Sequence, residues 1–383
     1  MKIFGIICEY DPLHLGHARL INHAKNIAGK DGMVLCIMSG NFVQRGLPSI
    51  LNKFCRAKHA ILAGADAVIE LPTLFATASA SDFALGGVKI LNQLKADTLI
   101  CGSECGDKNV ILSLAQFLFS PSEKFNAIVR NHLEKGQNYP TALSFAEKEI
   151  YGSNILNSPN NLLSIEYAKA ILATNSNLSF ETLKRDSDFL DENNFDNCSS
   201  SVIRKAFLEN NLDKVKHHLP EYVFNDLKNL DKNYLKKYQD FIPLYMATKT
   251  KKQVEEIADV IEGLNNYLID NLDSNYEKYI SNLKTKRYTR ARLNRILLYS
   301  ILNITKNLQM FKYSAELPIN LLAIKNDKRI IGEIKRRTNT DLTQEKLQYI
   351  TEINQLTENS DKFYYTMYDI VIDKNKINKL NKY

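Results

Sequence analysis

The sequence predicts an α/β fold: a parallel sheet covered by helices on both faces, continued by a mainly α-helical part. Short apolar runs of strand length recur at residues 3–8, 33–38, 67–71 and 98–101. Amphipathic helical stretches at 16–27, 52–63 and 79–94 lie between them, and beyond about residue 210 strand signals fade into Lys-, Asn-, Leu-, Ile- and Tyr-rich helical spacing.

The first strand, IFGIIC, ends at Glu9, and a turn containing Pro12 leads into the first helix. The second and third strands, MVLCIM and AVIEL, are apolar at every position but one, which suits a sheet buried on both faces. Each intervening helix serves as a right-handed crossover that folds back over the sheet, giving βαβαβαβ. Ligands of such sheets bind beyond the carboxyl ends of the strands, which directs attention to loops 9–15, 39–48, 72–78 and 102–107. Residues 120–159 are helical and less apolar, and 163–172 is an amphipathic helix. Residues 199–208 form another helix, opened by a serine run suited to N-capping. Few Gly or Pro interrupt the chain beyond it. The expected division is residues 1–208 as the α/β unit and 209–383 as the helical one, with a frayed Lys/Asn-rich end.

A chain of 383 residues that is 44% hydrophobic and 24% charged is neither disordered nor fibrous. Its apolar runs are far shorter than the ~20 residues of a membrane-spanning helix, and the acidic Glu9 and Asp11 end the N-terminal run too early for a secretory signal. A cytoplasmic location is expected. Six cysteines, with Cys8, Cys36 and Cys101 inside strands, read as buried hydrophobes. Cys101 and Cys105 lack Cys-x-x-Cys spacing, so no metal site is assigned. The net charge of +7 points to a polyanionic partner only where basic residues cluster.

The segment GIICEYDPLHLGHARLI carries the chemistry. His14-x-Gly16-His17 opens a helix directly after the first strand, setting two imidazoles and a helix N-terminus against one small volume. Gly16 would let a nucleotide approach the backbone. Imidazole N–H donors and helix-end amides aimed at an α-phosphate stabilise charge that builds in the transition state. Considered alone, two histidines at i and i+3 are also compatible with a plain helix cap or half of a metal site.

The first motif resembles that of the HxGH nucleotidylyltransferase superfamily, whose site is related to that of the aminoacyl-tRNA synthetases with the same signature. Ser199, Ser200, Ser201, Val202, Ile203 and Arg204 are similar to the Ser-Ser/Thr-x-Ile-Arg element with which that superfamily holds departing phosphates. The resemblance implies a Rossmann-like nucleotidylyltransferase domain with His14, His17 and Arg204 as catalytic groups. A narrower resemblance runs through MSGNFVQRGLPSILNKFCRAKHAILAGADAVIELP, SASDFALGGVKIL, CGSECGD, PNNLLSIEYAKAI and KRYTRARLNRILL, which look like the bacterial tRNA(Met) cytidine acetate ligase family. It implies that acetate and ATP form acetyl-adenylate with loss of pyrophosphate. The acetyl group then passes to the wobble cytidine of elongator tRNA(Met), giving N4-acetylcytidine. The ATP contacts it implies are Ile7, Cys8, Glu9, Tyr10, Asp11, Pro12, Leu13, His14, Leu15, Gly16, His17, Ala18, Arg19 and Leu20, then Gly102, Asn160 or Asn161, Arg185, Ser200 and Ser201. Magnesium would accompany ATP. The family usually reads Asn-Pro-Phe-His-Asn-Gly-His, whereas this chain has Asp11, Leu13 and Leu15. Asp11 beside phosphates needs a hydrogen bond or a cation of its own.

Arg45 and Lys53 are candidates for holding phosphate or the acetate carboxylate, or else belong to a solvated basic loop. Glu70 and Glu104 are candidates for orienting a ribose hydroxyl, with a structural role open for Glu70. Lys284, Lys286, Arg287, Arg290, Arg292 and Arg295 place six positive charges in twelve residues around Tyr288, a pattern for phosphate-backbone contact with one stacking ring, and the expected tRNA contact. Two other functions stay open at this point: a nucleotidylyltransferase making a small nucleotide conjugate without RNA, and a non-catalytic RNA-binding protein.

Overall fold

The computed structural model describes residues 1–185, 199–231, 233–313, 316–338, 344–368 and 383. Its centre is a six-stranded sheet in the order β7-β6-β1-β2-β5-β8. These strands are β1 (Lys2–Cys8), β2 (Gly32–Ser39), β5 (Ala67–Leu71), β6 (Thr98–Ser103), β7 (Ser179–Lys184) and β8 (Leu321–Ile324); β3 (Phe42–Val43) and β4 (Leu47–Pro48) form a small separate hairpin. All neighbours in the main sheet are parallel except β8, which runs antiparallel on the edge of β5. β1 and β2 pair without a bulge from Lys2 opposite Gly32 to Cys8 opposite Met38.

The helices of the first half are α1 (Leu15–Ala28), α2 (Lys53–Leu62), α3 (Thr73–Ala76), α4 (Ala80–Gln93), α5 (Lys108–Phe119), α6 (Glu123–Glu134), α7 (Tyr139–Tyr151), α8 (Pro159–Ala173) and α9 (Ser200–Leu208). The sheet carries an apolar core on each face. Ile3, Ile7, Leu35, Ile37 and Ile69 point to one side with α4 and α8, and Phe4, Ile6, Val34, Cys36 and Val68 point to the other with α1, α2 and α9. Alternate residues of one strand thus enter opposite cores, which is why the strands are apolar throughout instead of alternating. The four strands and three intervening helices expected from apolar patterning are all present, with ends shifted by a few residues. Chain order across the sheet reverses between β1 and β6, one branch continuing to β2 and β5 and the other to β7. A crevice opens at such a switch point because successive crossovers leave it in opposite directions.

The second half contributes α10 (Glu221–Lys228), α11 (Tyr234–Ala247), α12 (Lys251–Glu255), α13 (Leu264–Asp270), α14 (Tyr276–Leu283), α15 (Arg290–Leu302), α16 (Lys306–Gln309), α17 (Lys328–Thr338) and α18 (Gln344–Met367). It is mainly helical, as expected, but it also returns to the sheet through β8, a four-residue strand that apolar run length alone does not distinguish from a helical turn. α18 packs on α3, with Thr73 Oγ1 and Ser360 Oγ 2.8 Å apart and Tyr364 Oη donating to Ser49 O at 3.0 Å. One buried cluster accordingly runs from Ile3 to Tyr365.

Candidate active site

The site lies at the switch point, where β1 delivers Cys8 and Glu9 and β6 delivers Cys101 and Gly102. After Glu9 the chain turns sharply at Tyr10, whose φ is 50° and whose ring is buried, and passes Asp11 and Pro12 to reach His14. His14 is the N-cap of α1. Its Nδ1 accepts from Gly16 N at 3.1 Å, and His17 Nδ1 accepts in turn from His14 N at 3.4 Å. The two rings stack, with centroids 3.7 Å apart and planes 27° from parallel.

This cap settles the tautomers. A ring whose Nδ1 accepts a backbone N–H carries its own proton on Nε2, so both imidazoles are neutral Nε2–H donors. Burial, then His17, Arg185 and His218, holds His14 well below the ordinary histidine range; burial and Arg185 push His17 down to about 3. The requirement for glycine at position 16 is also local: a Cβ there would lie 2.9 Å from His14 Cε1. The ring folded over Gly16 uses that space, and Gly16 N–H is spent on the ring. The imidazoles, more than the amides of the first turn of α1, therefore supply the donors.

The serine-arginine element meets this turn directly. Ser199 caps α9 by accepting from Val202 N at 3.3 Å, and Ser200 Oγ donates to Pro12 O at 3.0 Å. Arg204 Nη1 donates to Asp11 O and lies 3.2 Å from Asp11 Oδ2, while Nη2 donates to Ser201 Oγ at 3.3 Å. Asp11 Oδ1 accepts from Ile50 N at 2.7 Å. Asp11, only 4% exposed, thus has both the hydrogen bond and the cation that a carboxylate beside phosphates requires. Segments about 190 positions apart in the chain share one wall.

Buried Arg56 braces the strand ends, donating to Leu51 O at 2.9 Å, Glu9 O at 2.5 Å and Gly40 O. Glu9 Oε1 accepts from Gln44 N at 2.7 Å, fixing the Gln44–Arg45 turn over the end of β1, and burial raises the Glu9 pKa. Gln44 and Arg45 both face the cleft, and Gln44 Nε2 is buried without a hydrogen-bond partner among the described residues.

Of the predicted residues, Ile7, Cys8, Glu9, Tyr10, Asp11, His14, His17, Leu20, Arg45, Gly102, Asn160, Arg185, Ser200, Ser201 and Arg204 line this one cleft. Pro12, Leu13, Leu15, Gly16, Ala18 and Arg19 shape the turn and helix behind it. Asn160 faces the cleft, while Asn161 is buried and bonded to Cys105 N (3.0 Å) and Ile155 O (3.2 Å). Lys53 is placed elsewhere: its ammonium is buried between Glu70 Oε1 (2.7 Å) and Asp361 Oδ2 (2.5 Å), and these carboxylates outweigh burial and raise its pKa. Glu70 is therefore engaged too. Glu104 caps α8, accepting from Asn160 N, Asn160 Nδ2 and Asn161 N at 3.2, 2.7 and 2.7 Å. Ile6, Phe83, Leu163, Ser164 and Tyr167 complete the lining. They escape sequence reasoning because buried strand and helix residues look alike in sequence whether they face a core or a ligand.

The basic cluster begins in the exposed stretch after α14, where Lys284, Lys286 and Arg287 reach solvent. Arg287 and Arg292 lie 5.8 and 5.4 Å from the Tyr288 ring centroid. Arg290 is held by Glu277 through two bonds of 2.6 and 2.7 Å, and Arg292 donates to Asp259 O at 3.2 Å, so these two are partly spent on structure. Arg295 faces the site loop: Gly46, at φ 70°, packs so closely that a Cβ would lie 2.4 Å from Arg295 N. α15 is thereby seated on the same turn that carries Gln44 and Arg45.

The sequence profile of the HIGH Nucleotidyl Transferase family matches residues 1–380. The chain is 38% identical over 360 residues to a tRNA(Met) cytidine acetate ligase of Clostridium perfringens, covering 89% of each protein. To the protein of that name from Caldicellulosiruptor saccharolyticus it is 34% identical over 391 residues, covering 99% of this chain and 94% of that one. Among solved structures it resembles Thermotoga maritima TmcAL bound with alpha-thio ATP, with a TM-score of 0.86, 26% identity and 98% of both chains covered.

Proposed function

We propose a two-step acetylation for this chain, which belongs to the tRNA(Met) cytidine acetate ligase family of HIGH nucleotidyl transferases and is an ATP-dependent ligase. An acetate oxygen attacks the α-phosphorus of ATP, the bond from that phosphorus to the β-phosphate bridge breaks, and pyrophosphate leaves acetyl-adenylate behind. The exocyclic amine of the wobble cytidine of elongator tRNA(Met) then attacks the acetyl carbonyl carbon. A C–N bond forms, the acyl–phosphate C–O bond breaks, AMP departs and the amine loses one proton, yielding N4-acetylcytidine.

The observation that carries this reading is the joining of His14 and His17 with Ser200, Ser201 and Arg204 around one cleft at the switch point. Two neutral Nε2–H donors suit the α-phosphate oxygens: they stabilise charge that grows during attack, and they do not lose a proton to it. Arg204 and the first-turn amides of α9 suit the departing pyrophosphate. Gln44 Nε2 and the Arg45 guanidinium, both facing the cleft, suit the acetate carboxylate. Magnesium arrives with ATP. Among the described residues the cleft carboxylates are Glu9 and Asp11, both already bonded to protein groups, so the phosphates are its main ligands. Lys284, Lys286 and Arg287, exposed between α14 and α15, suit the phosphate backbone of a cytoplasmic tRNA, and α15, which begins just after them, packs through Arg295 on the site loop.

The test is incubation with ATP, carboxyl-labelled acetate and transcribed elongator tRNA(Met). Label on the wobble cytidine, lost with His17→Ala, is expected. Label confined to a small nucleotide product would overturn the acceptor assignment.

A further inference from the structure

On the face of the sheet where α1 and α2 pack, a cluster outside the cleft brings together one sulfur, one nitrogen and one oxygen. Cys55 and His59 stand at i and i+4 on α2, and Asp226 projects from α10. Cys55 Sγ is 3.6 Å from His59 Nε2 and 3.3 Å from Asp226 Oδ2, and His59 Nε2 is 2.8 Å from Asp226 Oδ2. Among the described residues this is the one group of three or more such side chains whose ligand atoms share a small volume.

These distances match a coordination sphere. A tetrahedral ion with zinc–sulfur and zinc–nitrogen bonds of ~2.3 and ~2.05 Å separates the two ligand atoms by ~3.6 Å, and sulfur from a carboxylate oxygen by ~3.5 Å. Only the nitrogen–oxygen pair must open, by about 0.5 Å, because a hydrogen bond now draws it together. His59 has no exposure, and its Nδ1 is buried with no hydrogen-bond partner among the described residues. Among the described residues the imidazole's polar engagement is therefore Nε2 aimed into the cluster, and Nδ1 is open to take the ring proton once a metal claims Nε2. The Asp226 side chain is 40% exposed, which leaves a route in and space for a water as fourth ligand.

We propose that Cys55, His59 and Asp226 bind a zinc ion that clips α2 to α10. Thiolate and imidazole ligands select a borderline-soft divalent ion over magnesium or calcium. Binding replaces the thiol proton by the ion and releases that proton to solvent. The imidazole proton moves from Nε2 to Nδ1, and one thiolate plus one carboxylate neutralise the dication. Because the thiol gives up its proton to the ion, binding tightens as pH rises. The structural consequence is specific: α2 carries Arg56, which braces the ends of β1 and β2, and α10 comes after the α9 element that holds Arg204.

The test uses untagged full-length protein stripped with a chelator and titrated with zinc or cobalt alone. Expected are about one ion per chain, a thiolate-to-cobalt charge-transfer band, and a rise in melting temperature with zinc. Cys55→Ser and the exposed Asp226→Asn should weaken binding at least tenfold, with the Cys55 variant abolishing the band. Cys105→Ser, outside the triad, should keep both. Failure of the stripped wild-type protein to bind a stoichiometric ion would show that the triad is a hydrogen-bond network alone, and a band that survives Cys55→Ser would place the metal elsewhere; either result overturns the proposal.

Discussion

Replacing Arg204 by Met separates the two jobs that the structure gives this residue. The guanidinium holds Asp11 through its carbonyl and carboxylate, and reaches Ser201 Oγ. Asp11 is 4% exposed, so loss of the partner leaves a buried carboxylate with one remaining donor among the described residues, Ile50 N. Breaking such a pair costs about 3–5 kcal/mol, and because the Arg204 side chain is 21% exposed the lower end, about 3 kcal/mol, applies. Lys205→Met, one position along on the same helix, loses only a long 3.9 Å pairing with Glu209 and should cost less than about 0.5 kcal/mol. Adding Asp11→Asn removes the stranded charge and keeps an oxygen for Ile50 N–H, so the double variant should regain at least half of the lost stability in urea unfolding. Catalysis should not return, since no guanidinium then faces the departing pyrophosphate: acetate-dependent turnover of ATP should stay down ~10²-fold. If the double variant recovered both stability and turnover, Arg204 would be no more than a neutraliser of Asp11, and the pyrophosphate assignment would be wrong.

His17→Ala should lower acetyl-adenylate formation ~10²–10³-fold with little change in ATP affinity, read by single-turnover kinetics against equilibrium binding. The depressed pKa of His17 also has a stability consequence. Between pH 6.5 and about 3 the unfolded chain takes up a proton that the folded ring refuses, so stability falls as pH drops through that window and is flat above it. Unfolding free energies at pH 7.5 and 5.5 should differ by about 1.4 kcal/mol more in the wild type than in His17→Gln. Lys53→Met should destabilise by about 3 kcal/mol by stranding Glu70 and Asp361, and leave the affinity for ATP unchanged in calorimetry. Joint replacement of Lys284, Lys286 and Arg287 by Gln should raise KM for tRNA and flatten its salt dependence, while tRNA-independent pyrophosphate exchange stays intact.

The sheet is legible in the sequence because burial on both faces forces continuous apolar strands, and crossover helices between them leave no other common arrangement. The edge strand β8 is not: four apolar residues in a helical stretch acquire strand character only from the open edge of β5, which lies some 250 positions earlier. His14 and His17 are singled out by residue type and spacing, and Ser199 to Arg204 by resemblance; the fold brings His14, His17 and Arg204 to one cleft. Lys53 shows the limit of that reasoning. A lysine at a helix start beside a polar loop looks available for phosphate, and only the fold reveals that Asp361, 308 positions away, claims its charge. Glu104 misleads for the same reason, because the α8 terminus that it caps arrives from outside its own loop. The Cys55–His59 pair gives no signal by itself, since its third member, Asp226, joins it only in three dimensions.

Isotope exchange between labelled pyrophosphate and ATP, measured with acetate present and tRNA absent, reports directly on whether the cleft forms an acid adenylate. Exchange that requires acetate and disappears in His17→Ala is the expected result. Exchange that proceeds equally without acetate, or none under conditions where ATP is bound, would contradict acid activation at this site.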